Sequence, residues 1–144
     1  MKKTLLRMTT FVLAAMLLIG TVSASTRSSL YLDGYRAWLT PKSGGKINVT
    51  INVQAVGDMD NVGALSVEMY ESSDGGSTWH RDGSYASALY PELLQQDTYL
   101  YYETPLSHQG VAGYKYYAIV TVYAGDSTGS DSREYQTTTV TARN

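Results

Sequence analysis

Cysteine is absent from the whole 144-residue chain. Its absence removes disulfide frameworks, thiol catalysis and thiolate zinc sites together, so an ordinary apolar core must hold the fold. Histidine is scarce as well, with His80 and His108 the two copies. His108 stands in a Ser-His-Gln-Gly stretch that reads as a turn, His80 follows a Trp, and neither has a nucleophile elbow beside it. Neither a serine triad nor a metal site is expected from them, and no cofactor is expected. Clusters of Lys and Arg are also missing. Eleven basic against thirteen acidic residues give a net charge of −2, which leaves nucleic acid and anionic membrane surfaces without the concentrated positive charge they need. Phenylalanine is confined to Phe11, whereas tyrosine occurs thirteen times, all of it beyond residue 24. An aromatic body with a hydroxyl at its tip suits a half-buried sheet with one wet face.

At the N-terminus, Lys2, Lys3 and Arg7 precede an apolar run from Phe11 to Ile19 that is too short for a membrane-spanning helix. With small residues at Val22 and Ala24, the pattern predicts a secretory signal peptide over 1–24, cleaved before Ser25, and no membrane span thereafter. The mature chain keeps 120 of the 144 residues and, having lost three basic ones, a net charge near −5. That is enough for one core and one domain. Residues 25–33 read as a flexible leader and 34–142 as the domain, in a secreted protein loosely associated with the wall at most.

Within the domain the patterns are those of strands. Ile47, Val49, Ile51, Val53 and Ala55 alternate with Asn48, Thr50, Asn52 and Gln54, so one face is buried and the other wet. A first strand is expected over Tyr35 to Thr40, ended by Pro41 and the Gly44-Gly45 pair. Gly57-Asp58-Met59-Asp60-Asn61 reads as a connection, leading to a strand with Leu65, Val67 and Met69 on its core face. Residues 83–97 show little periodicity and read as a long loop with a helical turn at Pro91 to Gln95. Tyr-rich Asp97 to Glu103, Tyr114 to Ala124 and Ser132 to Ala142 complete about seven antiparallel strands.

Between two of them lies Ser72-Ser-Asp-Gly-Gly-Ser-Thr-Trp79, a hairpin turn in which Asp74 accepts amide hydrogen bonds and Gly75 and Gly76 supply positive φ. Ser72, Asp74, Gly76, Thr78 and Trp79 resemble an Asp-box, a structural turn found in sialidases and in many secreted non-enzymes alike. Gly113-Tyr114-Lys115-Tyr116, followed by Ala118, Val120 and Val122, resembles the approach to strand F of the fibronectin type III and wider immunoglobulin-like sandwich. That resemblance implies a single antiparallel β-sandwich over about 34–142, with Tyr116 at the tyrosine corner and the hairpin between strands C and C′. As a whole the chain is similar to small exported proteins of Gram-positive bacteria that carry a domain of unknown function.

Chemistry has few candidates. Glu68, Glu71 and Glu103 offer carboxylate pairs of no specific spacing, and a sialidase propeller needs several blades where this chain has strands for fewer than two. Asp58 and Asp60 with Asp126 and Asp131 share one end of the expected sandwich. They read either as a cation site or, with no compact calcium-loop spacing, as solvated turn residues. The stronger feature is an outward stripe of Tyr70, Tyr117, Ile119 and Tyr123 on adjacent strands. Such a face either binds a glycan or an extracellular protein or simply stabilises the sheet by cross-strand pairing. These readings point to an exported, non-enzymatic binding module. A self-assembling extracellular subunit is the alternative, and a small hydrolase the residual one.

Overall fold

The computed structural model describes residues 29–144. The signal peptide read over 1–24, and the first four residues of the leader, lie outside the described residues. The domain is all-β, with seven strands in one continuous antiparallel sheet. They are β1 (Leu32–Pro41), β2 (Lys46–Ser72), β3 (His80–Ala86), β4 (Leu94–Gln109), β5 (Lys115–Asp126), β6 (Gly129–Gln136) and β7 (Val140–Thr141).

The sheet is built on β2, a strand of 27 residues. One of its edges is paired first with β1 and then with β5; the other is followed by β4 as far as Gly63 and then by β3. Between Gln54, opposite Leu100, and Met59, opposite Thr98, the registers of β2 and β4 part company, and this irregularity folds the sheet over on itself. Two layers result: β1, the first half of β2 and β4 form one; β3, the second half of β2, β5 and β6 form the other. The order β1–β2–β4 in one layer and β3–β2–β5–β6 in the other makes a sandwich-like all-β domain in which β2 runs through both layers as one bent strand. Ile47, Val49, Ile51 and Val53 from the first layer and Val67, Met69, Val120 and Val122 from the second have no exposed surface and share one core. The alternation along 47–55 thus acts as expected, with each apolar side chain inward.

Tyr116 ties the segment before β5 to that strand. It is fully buried, its hydroxyl accepts a hydrogen bond from the Val111 amide at 2.8 Å and donates to Glu71 Oε2 at 3.1 Å. Burial pushes its phenol up to about 12.

Several boundaries differ from the sequence reading, each for a local reason. The supposed connection at 57–61 is part of β2, since Met59 is buried and Asn61 pairs with both Gln96 and Gly125. Leu65 is the extra residue of a bulge between Ala64 and Ser66; Ala64 is buried in its place and Leu65 stays half-exposed. Much of 83–97 is strand, with β3 reaching Ala86 and β4 starting at Leu94; between them a 3-10 turn at Pro91–Leu93 buries Leu93. His108 is no turn residue but lies in β4 opposite Ile47, and is buried. β1 begins at Leu32, inside the supposed leader, where Ser29 Oγ accepts from the Tyr31 and Leu32 amides.

Candidate functional site

The hairpin turn is wired as its sequence demands. Asp74 Oδ1 accepts from the Ser77 amide at 3.0 Å, the Thr78 amide at 2.9 Å and the Ser72 hydroxyl at 2.7 Å, while Thr78 Oγ1 donates to Oδ2 at 2.6 Å. Gly75 and Gly76 take φ values of 77° and 102°, conformations a side chain strains. The Thr78 hydroxyl, then the Thr78 amide and the Ser72 hydroxyl, hold the Asp74 carboxyl well below the usual carboxylate range.

A folded-state pKa below the unfolded one means that the unfolded chain binds the proton first on acidification. The stabilisation by Asp74 is therefore complete above pH 5 and erodes as pH falls below about 4. Thermal melts from pH 5 to pH 2 are expected to show Asp74→Asn several degrees below the wild type at pH 5, with the gap closing toward pH 2. A gap independent of pH would mean that the carboxylate is not the group that matters.

The turn delivers Trp79 to the outward face of β2 and β5. Trp79 meets the Tyr117 ring with centroids 4.7 Å apart at 69°, and Tyr117 stacks on Tyr70, its partner in register, at 4.9 Å and 6°. All three side chains are half-exposed. Tyr70 also donates to Glu68 Oε2 at 3.1 Å, and that hydrogen bond raises its phenol pKa. Glu68 in turn holds Arg81 at 3.2 Å. Ile119, opposite Glu68, continues the patch. Tyr123 does not join it: six residues from Tyr117 along the strand, roughly 20 Å, its ring lies back over Gly125. The stripe read from sequence is thus a compact cluster of Tyr70, Tyr117 and Ile119. Trp79, read there only as a turn residue, supplies its third ring.

His108 has a structural setting that sequence gave no sign of. Its Nε2 is 2.7 Å from Asp82 Oδ2 and its Nδ1 is 2.7 Å from the Tyr85 hydroxyl. Since a carboxylate only accepts, Nε2 carries a proton, and in the neutral ring Nδ1 accepts from Tyr85. The chain Tyr85–His108–Asp82 locks β3 to β4, the two strands that share one edge of β2. Burial, then Tyr90 and Asp82, raise the Tyr85 phenol.

The four acids of the supposed cation end do not converge. Asp126 Oδ1 accepts from the Thr128 amide and hydroxyl, Asp131 Oδ1 from the Ser132 amide and Arg133. Asp58 and Asp60 are exposed on β2. Among the described residues no three His, Cys, Asp or Glu side chains are grouped to hold a metal ion. No helix among them is long and apolar enough to cross a membrane.

Comparison with models of known protein families, with curated proteins and with solved structures finds no match for this chain. Its class, an antiparallel sandwich-like all-β domain, rests on its own strand pairing.

Proposed function

We propose that the protein is an exported, non-enzymatic binding module that engages an extracellular partner, protein or glycan, through the outward face of β2 and β5. The observation that carries this reading is the interlocked cluster of Trp79, Tyr117 and Tyr70, three half-exposed rings from two strands and one turn. Rigid aromatics lose little side-chain entropy on binding and dominate contact energies. The Glu68–Arg81 pair at the border of the patch supplies a polar rim.

The test is binding of the secreted protein to a glycan array and to the envelope of the producing cell. Tyr117→Ala and Trp79→Ala are expected to weaken binding tenfold or more, and Tyr70→Ala nearly as much. Asp74→Ala, which loosens the turn, is expected to bind as well as wild type below its lowered melting temperature. Full binding by folded Tyr70→Ala and Tyr117→Ala variants would reject this face as the contact.

Self-assembly is the second reading, supported by the open ends of the sheet at β1 and β6. A concentration-dependent shift to larger species in size-exclusion chromatography would favour it.

A further inference from the structure

The other layer also has an outward face, of different chemistry. Because Ile47, Val49, Ile51 and Val53 point inward, their neighbours on β2 point to solvent, and register brings Arg36 opposite Asn52 and Asn52 opposite Tyr102. Trp38 on β1 and Tyr102 on β4 reach toward each other across β2, their centroids 5.9 Å apart at 43°. Thr50, opposite Trp38 and bonded to the Thr104 hydroxyl at 2.8 Å, is buried on this outward side. The Arg36 guanidinium lies over the Trp38 ring, 5.7 Å from its centroid. Gln54 extends the row of amides, and a shallow depression of about 190 Å³ lies between Arg36, Tyr35, Asn52 and Gln54.

Charge sets this face apart from the rest of an acidic chain. Register pairs no carboxylate with Arg36, Asn52 or Gln54; on the same side of β2 the nearest is Asp58, four residues beyond Gln54, and Glu103 lies in a separate cleft with Tyr101, Glu92 and Pro105. Arg36 takes part in no ion pair among the described residues, where Arg81, Arg133 and His108 have the acidic partners. Lys46 falls on the same side of β2 as Asn52, six residues and so roughly 20 Å away. The surface therefore presents two rings, a row of side-chain amides and a free guanidinium, with a second cation at its far end.

We propose that this face binds an acidic polysaccharide. Trp38 and Tyr102 stack against sugar rings, Asn52 and Gln54 hydrogen-bond ring hydroxyls, and Arg36 pairs with a sugar carboxylate through its two-pronged donor geometry. A guanidinium that is in no ion pair among the described residues, and whose register partners Asn52 and Tyr102 are uncharged, is complementary to an anion. A protein partner fits less well, since the groups beside the rings, Asn52, Gln54 and Arg36, match the hydroxyls and carboxylate of a sugar. Nucleic acid fits less well too, because two cations this far apart neutralise few phosphates. The proposal is independent of the Trp79–Tyr117 cluster, which lies on the opposite layer.

The experiment is calorimetric titration of the secreted protein with hexasaccharides of galacturonate, mannuronate and hyaluronan, with cellohexaose as the uncharged comparison. At least one acidic hexamer is expected to bind more tightly than cellohexaose, with an affinity that falls as salt is raised. Arg36→Gln is expected to lower that affinity tenfold or more and to flatten its salt dependence. Trp38→Ala and Tyr102→Ala are expected to weaken acidic and neutral hexamers alike. Asn52→Asp adds a carboxylate at a half-exposed position beside the ring pair; it is expected to abolish acidic-glycan binding with a melting temperature within a few degrees of the wild type, which keeps the test valid if Trp38→Ala does not fold. Trp79→Ala is expected to bind as wild type. The proposal is overturned by no binding of any acidic hexamer, by wild-type affinity in Arg36→Gln and Asn52→Asp, or by tighter binding of oligo(dT) than of every hexamer.

Discussion

Val120→Asp and Ile51→Asp are expected to leave no folded domain at neutral pH, whereas Asn52→Asp melts within a few degrees of the wild type. Val120 pairs with Val67 on one side and Tyr135 on the other, in the middle of the central strand β5, and has no exposed surface. Ile51, opposite Ala37, is equally enclosed in the other layer. Among the described residues no Lys or Arg is buried to answer a carboxylate. An unpaired buried charge costs several kcal/mol, on the order of the whole 5–15 kcal/mol that holds a domain of this size together. Asn52 is one residue from Ile51 on the same strand but half-exposed, so its substitution leaves the charge in water. Circular dichroism of the three variants decides the matter. Equal loss of structure in Asn52→Asp would mean that the register of β2 is misassigned, because a slip of one residue exchanges the two faces of a strand.

The contrast between adjacent residues is also what made much of the fold readable in the sequence. Strict alternation from Ile47 to Ala55 needs no tertiary knowledge, since only a sheet with one dry face gives it meaning. The run from Tyr114 to Ala124, apolar on both sides, marks a strand with neighbours on both edges, and β5 has them in β2 and β6. Turn composition misled at Gly57 to Asn61. Those residue types favour a loop only when nothing else holds the backbone. Here β4 and β5 together grip Asn61 and Val62, Met59 pairs with Thr98, and tertiary pairing overrides local preference.

The sites were less legible, because they depend on distances across the chain. Tyr70 and Tyr117 lie on neighbouring strands of an expected hairpin sheet, so their pairing follows from strand order alone. Trp79 escaped because its place at the end of a turn motif explains it locally; that its ring crosses to Tyr117, on a strand 38 residues further on, is visible only in three dimensions. Trp38 and Tyr102 are separated by the length of half the domain and become neighbours only because β1 and β4 flank the same stretch of β2. His108, Asp82 and Tyr85 met for a similar reason: β3 and β4 share an edge of one strand that the sequence reading had divided in two.

Gly63→Ala tests that undivided strand most severely, and it is expected to lower the melting temperature by well over 10 °C or to prevent folding. Gly63 sits just past the bend of β2, opposite Leu94 on one side and Tyr123 on the other, with φ at 147°. A side chain there is strained by the backbone alone, at about 1–3 kcal/mol. Its Cβ would also press into the Leu93 carbonyl and lie 3.1 Å from the Leu94 Cα. Both are backbone atoms, one ending the 3-10 turn that buries Leu93 and the other opening β4, so no rotamer change relieves the contact. Overpacking of that kind costs about 1–3 kcal/mol more, and each kcal/mol shifts the midpoint by roughly 4 °C or more in a domain near a hundred residues. Gly57→Ala is the matched comparison. It lies in the same bend, has nothing within 4 Å of an added Cβ and no positive φ, so it is expected to be neutral or to raise stability by about 0.4–1 kcal/mol through the unfolded chain. If β2 ended near residue 57 and resumed after a loose loop, the two alanines would behave alike. A large loss at 63 with none at 57 requires the backbone of Leu93 to lie hard against an unbroken β2.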